Sequence, residues 1–211
     1  MKKLFSFFMI LLMSVVFAFG QDESVELNSA YSDINVTKDN EMIQNLLVSN
    51  KKLVDKSVKK VLKNLDAYNP AVLYVVSNIY FEENKDEAAK IFYIAQLRAR
   101  IDANICQDQT AAEAVSILNQ QFGPLINSYG FGDIENLKKI VTKAIDHVRK
   151  NKVSYDRRWI NLHGMKAFIN DGKTYTAPKE EWDDIIRTTI EDYEKGFNEA
   201  LKQFEEMQKD L

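Results

Sequence analysis

The stretch DEAAKIFYIAQLRARIDANI, residues 86–105, constrains the fold of this chain more than any other. It has no proline or glycine, and its apolar residues recur at helical spacing. Wound at ~100° per residue, one side carries Ala88, Ile91, Phe92, Ala95, Ala99 and Ala103. The opposite side carries Tyr93, Ile94, Leu97, Ile101 and Ile105. A helix that is apolar on two sides has to be packed on both. It is therefore expected at the centre of the molecule, with the remaining elements built around it.

The polar residues of this helix fall into two narrow rows between the apolar lobes. Gln96, Arg100 and Asn104 form one row; Arg98 and Asp102 form the other. Arg98 and Asp102 are placed to pair along the helix, in the poorer order for such a pair. Arg100 has no acidic residue one turn away and is expected to find a carboxylate or carbonyls elsewhere, because an unpaired buried charge is very costly. The rows read either as seams that fix how neighbouring helices dock or as one wall of a polar pocket.

The chain opens MKKLFSFFMILLMSVVFAFG. Lys2 and Lys3 precede an apolar run from Leu4 to Phe19, and Ala18 and Gly20 place small residues before Gln21. This is the pattern of a secretory signal peptide, residues 1–20, cut near Gly20/Gln21. The run falls short of the ~20 residues that span a bilayer, so no stable membrane anchor is expected after cleavage. The remaining residues, 21–211, are expected to form a single helical domain in the periplasm or outside the cell. The one cysteine, Cys106, cannot close an internal disulfide, so stability has to come from an ordinary core. Loss of Lys2 and Lys3 takes the formal charge from −3 to −5, a mildly acidic balance that argues against nucleic acid or an anionic membrane as partner.

Other helices can be placed by the same periodicity. Thr37 and Asp39 offer caps before an apolar series from Met42 to Leu65, which Asn50 interrupts, so one long helix or two shorter ones fit. Its outer side carries Lys51, Lys52, Lys56, Lys59, Lys60 and Lys63, which read as a solvated face, with a partner-binding surface as the alternative. Asn69 and Pro70 begin a helix to about Glu82, and Asp86 is expected to cap the central one. Thr110 and Glu113 match a capping box, and Gly123-Pro124 is expected to end that helix near Gln121. Asp133 caps an amphipathic helix whose stripe is Ile134, Leu137, Ile140, Val141, Ala144, Ile145 and Val148. An Asp171-Gly172 turn precedes a last helix that starts near Thr176 and Pro178. The fold class is thus all-α, six to eight helices in an irregular bundle or a solenoid-like stack of helical hairpins.

Two resemblances follow from the wording of the chain. The hairpin of residues 70–105, with Ala88, Phe92 and Ala95 on its second helix, resembles tetratricopeptide and Sel1-like repeats. It occurs once, and such arrays need about three copies to bury a core. The segments QLRARIDANIC, AVSILNQQFG and RWINLHGM resemble a family of uncharacterised secreted bacterial helical proteins, over roughly residues 70–165. That resemblance implies no activity or ligand.

Candidate chemistry is sparse. His147 and His163 lack metal-ligand spacing with each other or with Cys106, so no metal or other cofactor is expected. His147, near a helix end, reads as a dipole-stabilising surface residue. Cys106 with His163 as base would supply a nucleophile, but no cysteine-protease signature accompanies them, and a buried inert thiol fits better. His163 reads as a hydrogen-bonded structural residue and Trp159 as a core plug. No phosphate-binding glycine loop or nucleophile elbow occurs. The expectation is a non-catalytic secreted binding protein with another protein as partner, of inhibitor or immunity type. The alternative is an enzyme or small-anion binder using a polar pocket of Gln96, Arg98, Arg100, Asp102, Asn104, Asn161 and His163.

Overall fold

The computed structural model describes residues 27–209. The expected signal segment, residues 1–20, lies outside them. The described chain is an all-α bundle of seven α-helices joined by short 3-10 turns. They are α1 (Thr37–Leu47), α2 (Lys51–Leu62), α3 (Pro70–Tyr80), α4 (Lys85–Ile105), α5 (Glu113–Phe131), α6 (Ile134–Lys150) and α7 (Trp182–Lys209). No helix is long and apolar enough to cross a membrane among the described residues.

Helix α4 is the axis of the bundle. It packs against α3, α5, α6 and α7, and both of its apolar lobes are buried. Ile91, Phe92, Ile94, Ala95, Leu97, Ala99, Ile101 and Ile105 have no solvent exposure. The surrounding helices turn one stripe inward, and the stripe expected on α6 is the one buried, apart from a half-buried Ile134. This arrangement is a bundle around a central helix rather than a one-dimensional stack of hairpins.

Asn50 divides the long apolar series: its side chain accepts from the backbone N–H of Leu53 at 3.2 Å and starts α2 afresh. Asn69 does the same for α3, accepting from Val72 at 3.2 Å with Pro70 in the first turn. Asp133 caps α6 through Asn136 at 2.9 Å. Asp39 is not a cap. It is buried and accepts the backbone N–H of Asn69 at 2.9 Å, which ties α1 to the start of α3.

Three helix limits differ from expectation. Asn84, not Asp86, caps α4, leaving Asp86 to bind Tyr129 and Asn136 across the bundle. The Thr110–Glu113 box does not form. Asp108 accepts from the Thr110 backbone N–H and hydroxyl instead, while the Thr110 hydroxyl accepts from the backbone of Met165. Helix α5 runs straight through Gly123 and Pro124 to Phe131. Proline in a helix interior costs ~3 kcal/mol. The same stretch buries Phe122 and Ile126, at ~1.5–3 kcal/mol each, so packing outweighs the local breaker. A Cβ at Gly123 would make only ordinary contact with the ring of Phe92 on α4, at 3.5 Å.

Between α6 and α7 the chain has only 3-10 turns, Arg157–His163, Met165–Phe168 and Lys179–Glu181. The Asp-Gly turn forms as expected, with Gly172 at φ +71°. The returning strand-like segment is stitched to the end of α4, where Gln107 donates to the Tyr175 carbonyl at 2.8 Å and Ala177 donates to that of Ile105 at 2.9 Å. Gly196 has nothing within 4 Å of a Cβ position, so it does not serve a close helix contact.

Candidate functional site

The seven residues of the expected polar pocket separate into distinct bonding sets. Arg98 is fully buried. Its Nη1 donates to the Leu65 carbonyl at 3.1 Å and its Nη2 forms an ion pair with Asp66. The same Asp66 oxygen meets His147 Nε2 at 2.8 Å. Burial lifts the Asp66 carboxyl, but the hydrogen bonds from Arg98 and His147 overcome it and hold the group below the usual carboxylate range. His147 is thus not a simple surface residue; its ring closes a three-membered Arg98–Asp66–His147 cluster.

Asp102 faces a different set. Arg157 Nη1 reaches one oxygen at 2.5 Å, while the Tyr155 hydroxyl and the Trp159 indole N–H donate to the other at 2.9 and 2.8 Å. Burial pushes the Asp102 carboxyl up; Arg157 and the two neutral donors oppose it. Arg157 is in turn held charged by Asp102. The expected Arg98–Asp102 pair along α4 therefore does not form. Each finds its partners on another element, in geometry that a helix turn with arginine first does not offer.

The second row is a seam beneath α7. Gln96 donates to Asn119 at 2.9 Å and accepts from the Tyr193 hydroxyl at 2.6 Å; Tyr74 also donates to Asn119, at 2.8 Å. Asn104 donates to Thr189 at 2.9 Å. Arg100, expected to find a carboxylate or carbonyls, has neither among the described residues. It is exposed and lies over the Tyr193 ring, 5.3 Å from its centre, with water to solvate the rest.

Asn161 is fully buried and donates to the Thr174 and Tyr175 carbonyls and the Thr176 hydroxyl, so it pins the returning segment. His163 makes no side-chain hydrogen bond among the described residues, contrary to expectation. Its ring packs edge-on against Trp159 at 5.4 Å, and burial lowers its pKa. Trp159 is buried as expected. Cys106 is buried, its thiol donates to the Asp108 carbonyl at 3.6 Å, and burial pushes its pKa up to about 11. Since the thiolate is the nucleophile, this is an unreactive setting, and no hydrogen bond joins Cys106 to His163. No group of three or more metal-ligating side chains is assembled among the described residues.

One surface breaks the pattern of paired charges. Lys51, Lys52, Lys56, Lys59, Lys60 and Lys63 of α2 and the turn after it line one shallow concavity with Asp55. All six lysines are exposed, and none has an ion-pair partner among the described residues. Lys52–Lys56, Lys56–Lys60 and Lys59–Lys63 stand one turn apart, where like charges destabilise a helix by ~0.2–0.5 kcal/mol per pair. The first turn holds no acid and two lysines, the wrong sign for the helix dipole. Residues 51–63 carry a net charge of +5 in a chain of −3, so the rest carries −8. The run of lysines was plain in the sequence. Its lack of partners was not.

Comparison of the chain with protein-family models, curated proteins and solved structures finds no match.

Proposed function

We propose that the protein is a non-catalytic helical binding protein, exported to the periplasm or beyond, whose binding surface is the lysine face of α2 and whose partner is an acidic macromolecule. The observation that carries this reading is the set of six unpaired lysines on one face. On this face like charges are stacked at helical spacing, with Asp55 the one acid among them. Such a conflict is expected where function rather than stability selects the residues. The polar groups within the fold support the non-catalytic part. Arg98, Asp102 and Asn161 are sealed in bonds that hold the fold together, so reaching a substrate would mean breaking them.

A small-anion reading narrows to Arg100, the one charge of the two rows that is exposed and without a carboxylate.

The test uses a generic polyanion, poly-L-glutamate. At low salt it should raise the Tm of the protein, since anything that binds only the folded state stabilises it. Replacement of Lys52, Lys56, Lys59 and Lys60 by Gln should abolish that rise. Equal shifts in both proteins, or none in either, would sink the lysine face as a binding surface.

A further inference from the structure

We infer that the lysine face of α2 docks on an anionic phospholipid surface. This rests on the reading of that face as the binding surface and names what it binds. Every basic residue of the face is lysine, Asp55 is its one acid, and no arginine or aromatic residue lines it. Lysine is a mobile point charge. It lacks the rigid fork by which arginine recognises one carboxylate or phosphate in a fixed geometry. The face therefore responds to charge density rather than to a particular arrangement of acceptors.

That chemistry separates the three classes of acidic macromolecule. A protein partner is held by buried aromatic, methionine and arginine anchors, and lysine is depleted at interface centres. The face has none of these anchors: the apolar side of α2 is turned inward, with Val58 and Val61 buried and Leu53, Val54 and Leu62 half-buried. Single-stranded nucleic acid needs stacking platforms, which are absent. Duplex DNA is read by arginine, asparagine or glutamine at base edges. No such side chain lines the face; Asn50, whose side-chain oxygen caps α2, and Asn64 stand only at its two ends.

A bilayer asks for less. Its phosphates move laterally and can gather beneath a row of amines. Clusters of roughly 4–8 basic residues on an amphipathic helix suit such a surface, at ~1 kcal/mol per lysine, about fivefold in affinity each. The row runs the length of α2, about 18 Å at a rise of ~1.5 Å per residue, so the helix can lie flat with all six amines in reach. Val48, 42% exposed in the turn before α2, adds one apolar side chain at the edge of that plane. The remaining acidic surface keeps the rest of the molecule off the membrane.

Vesicle co-sedimentation tests this. The chain from Gln21 onward is used; it contains every described element and omits the apolar run that would enter lipid by itself. It should sediment with phosphatidylcholine vesicles that contain phosphatidylglycerol and stay in solution with phosphatidylcholine alone. Added salt should release it. Replacing Lys52, Lys56, Lys59 and Lys60 by Gln should weaken binding several hundredfold, the product of about fivefold per lysine. A control removes as much charge elsewhere, by Lys139, Lys143, Lys195 and Lys202→Gln, all exposed. It should bind as the parent does. If the control loses as much as the test variant, net charge rather than the α2 face is responsible and the inference fails. Binding to poly-L-glutamate or duplex DNA but not to the anionic vesicles would overturn the lipid assignment and leave the lysine face standing. Binding to none of the three would remove both.

Discussion

The buried cluster around Arg98 and Asp102 and the open face of α2 treat charge in opposite ways. In the cluster every ionised group is answered: Arg98 by Asp66 and Leu65, Asp66 also by His147, Asp102 by Arg157, Tyr155 and Trp159. Along α2 and the turn after it six ammonium groups stand side by side with no acid paired to them among the described residues. Desolvation explains the difference. A charge out of water has to be compensated within the protein, whereas an exposed one is solvated and costs only mild repulsion. Buried charge therefore reports on how the fold is held, and exposed unpaired charge is free to report on what the fold meets.

That contrast is most severely tested at Asp102. Asp102→Asn strands the buried Arg157 guanidinium, and the loss should be about 3–5 kcal/mol by urea denaturation. A loss below about 1 kcal/mol, the value of an ordinary hydrogen bond, would mean that the cluster is not a clasp. Arg98→Met comes next, at about 2–3 kcal/mol, because the partner it abandons is a quarter exposed and keeps His147.

The same pair should shape acid stability. Asp66 is held below its ordinary pKa in the folded protein, so its contribution is complete above the unfolded value of ~3.9. It is lost as pH falls from there through the depressed folded value. Urea midpoints across that window should fall more steeply for the parent than for Arg98→Met. Parallel curves would argue that Asp66 draws nothing from Arg98.

On the exposed side the effects shrink and then change sign. Arg100→Met removes an exposed contact with the Tyr193 ring, and should lower stability by no more than ~1 kcal/mol. A loss as large as that of Arg98→Met would erase the distinction between the two rows of α4. Replacing Lys52, Lys56, Lys59 and Lys60 by Gln should stabilise the protein by a few tenths of a kcal/mol per relieved pair at low salt, and by nothing at high salt. Destabilisation would instead reveal an internal role for these side chains.

Much of the core was legible before any coordinates. The two-sided pattern of α4 put it at the centre, and the Asn69-Pro70 start and the α6 stripe needed only local spacing and capping chemistry. What escaped was decided by distant partners. Asp102 was the nearest acid to Arg98 along the helix, yet Asp66, 32 residues away, took the guanidinium. No periodicity encodes that choice. Gly123-Pro124 carried a valid stop signal, overruled by the burial of Phe122 and Ile126 on either side. The lysine face was visible as a run of residues, but whether carboxylates from other elements would cover it depended on the complete fold.

The segment that carries Tyr155, and the 3-10 turn after it with Arg157 and Trp159, has a consequence for the order in which the molecule assembles. It has no helix of its own to nucleate it, and its partner Asp102 lies 53 to 57 residues back along the chain. Contacts at such separation must wait until the chain between them has been gathered in. The helices around α4 can condense first, and this stretch is then clasped onto the finished surface. The clasp belongs to the native state rather than to the folding barrier. Its loss in Asp102→Asn should therefore surface as faster unfolding, with the refolding rate almost untouched.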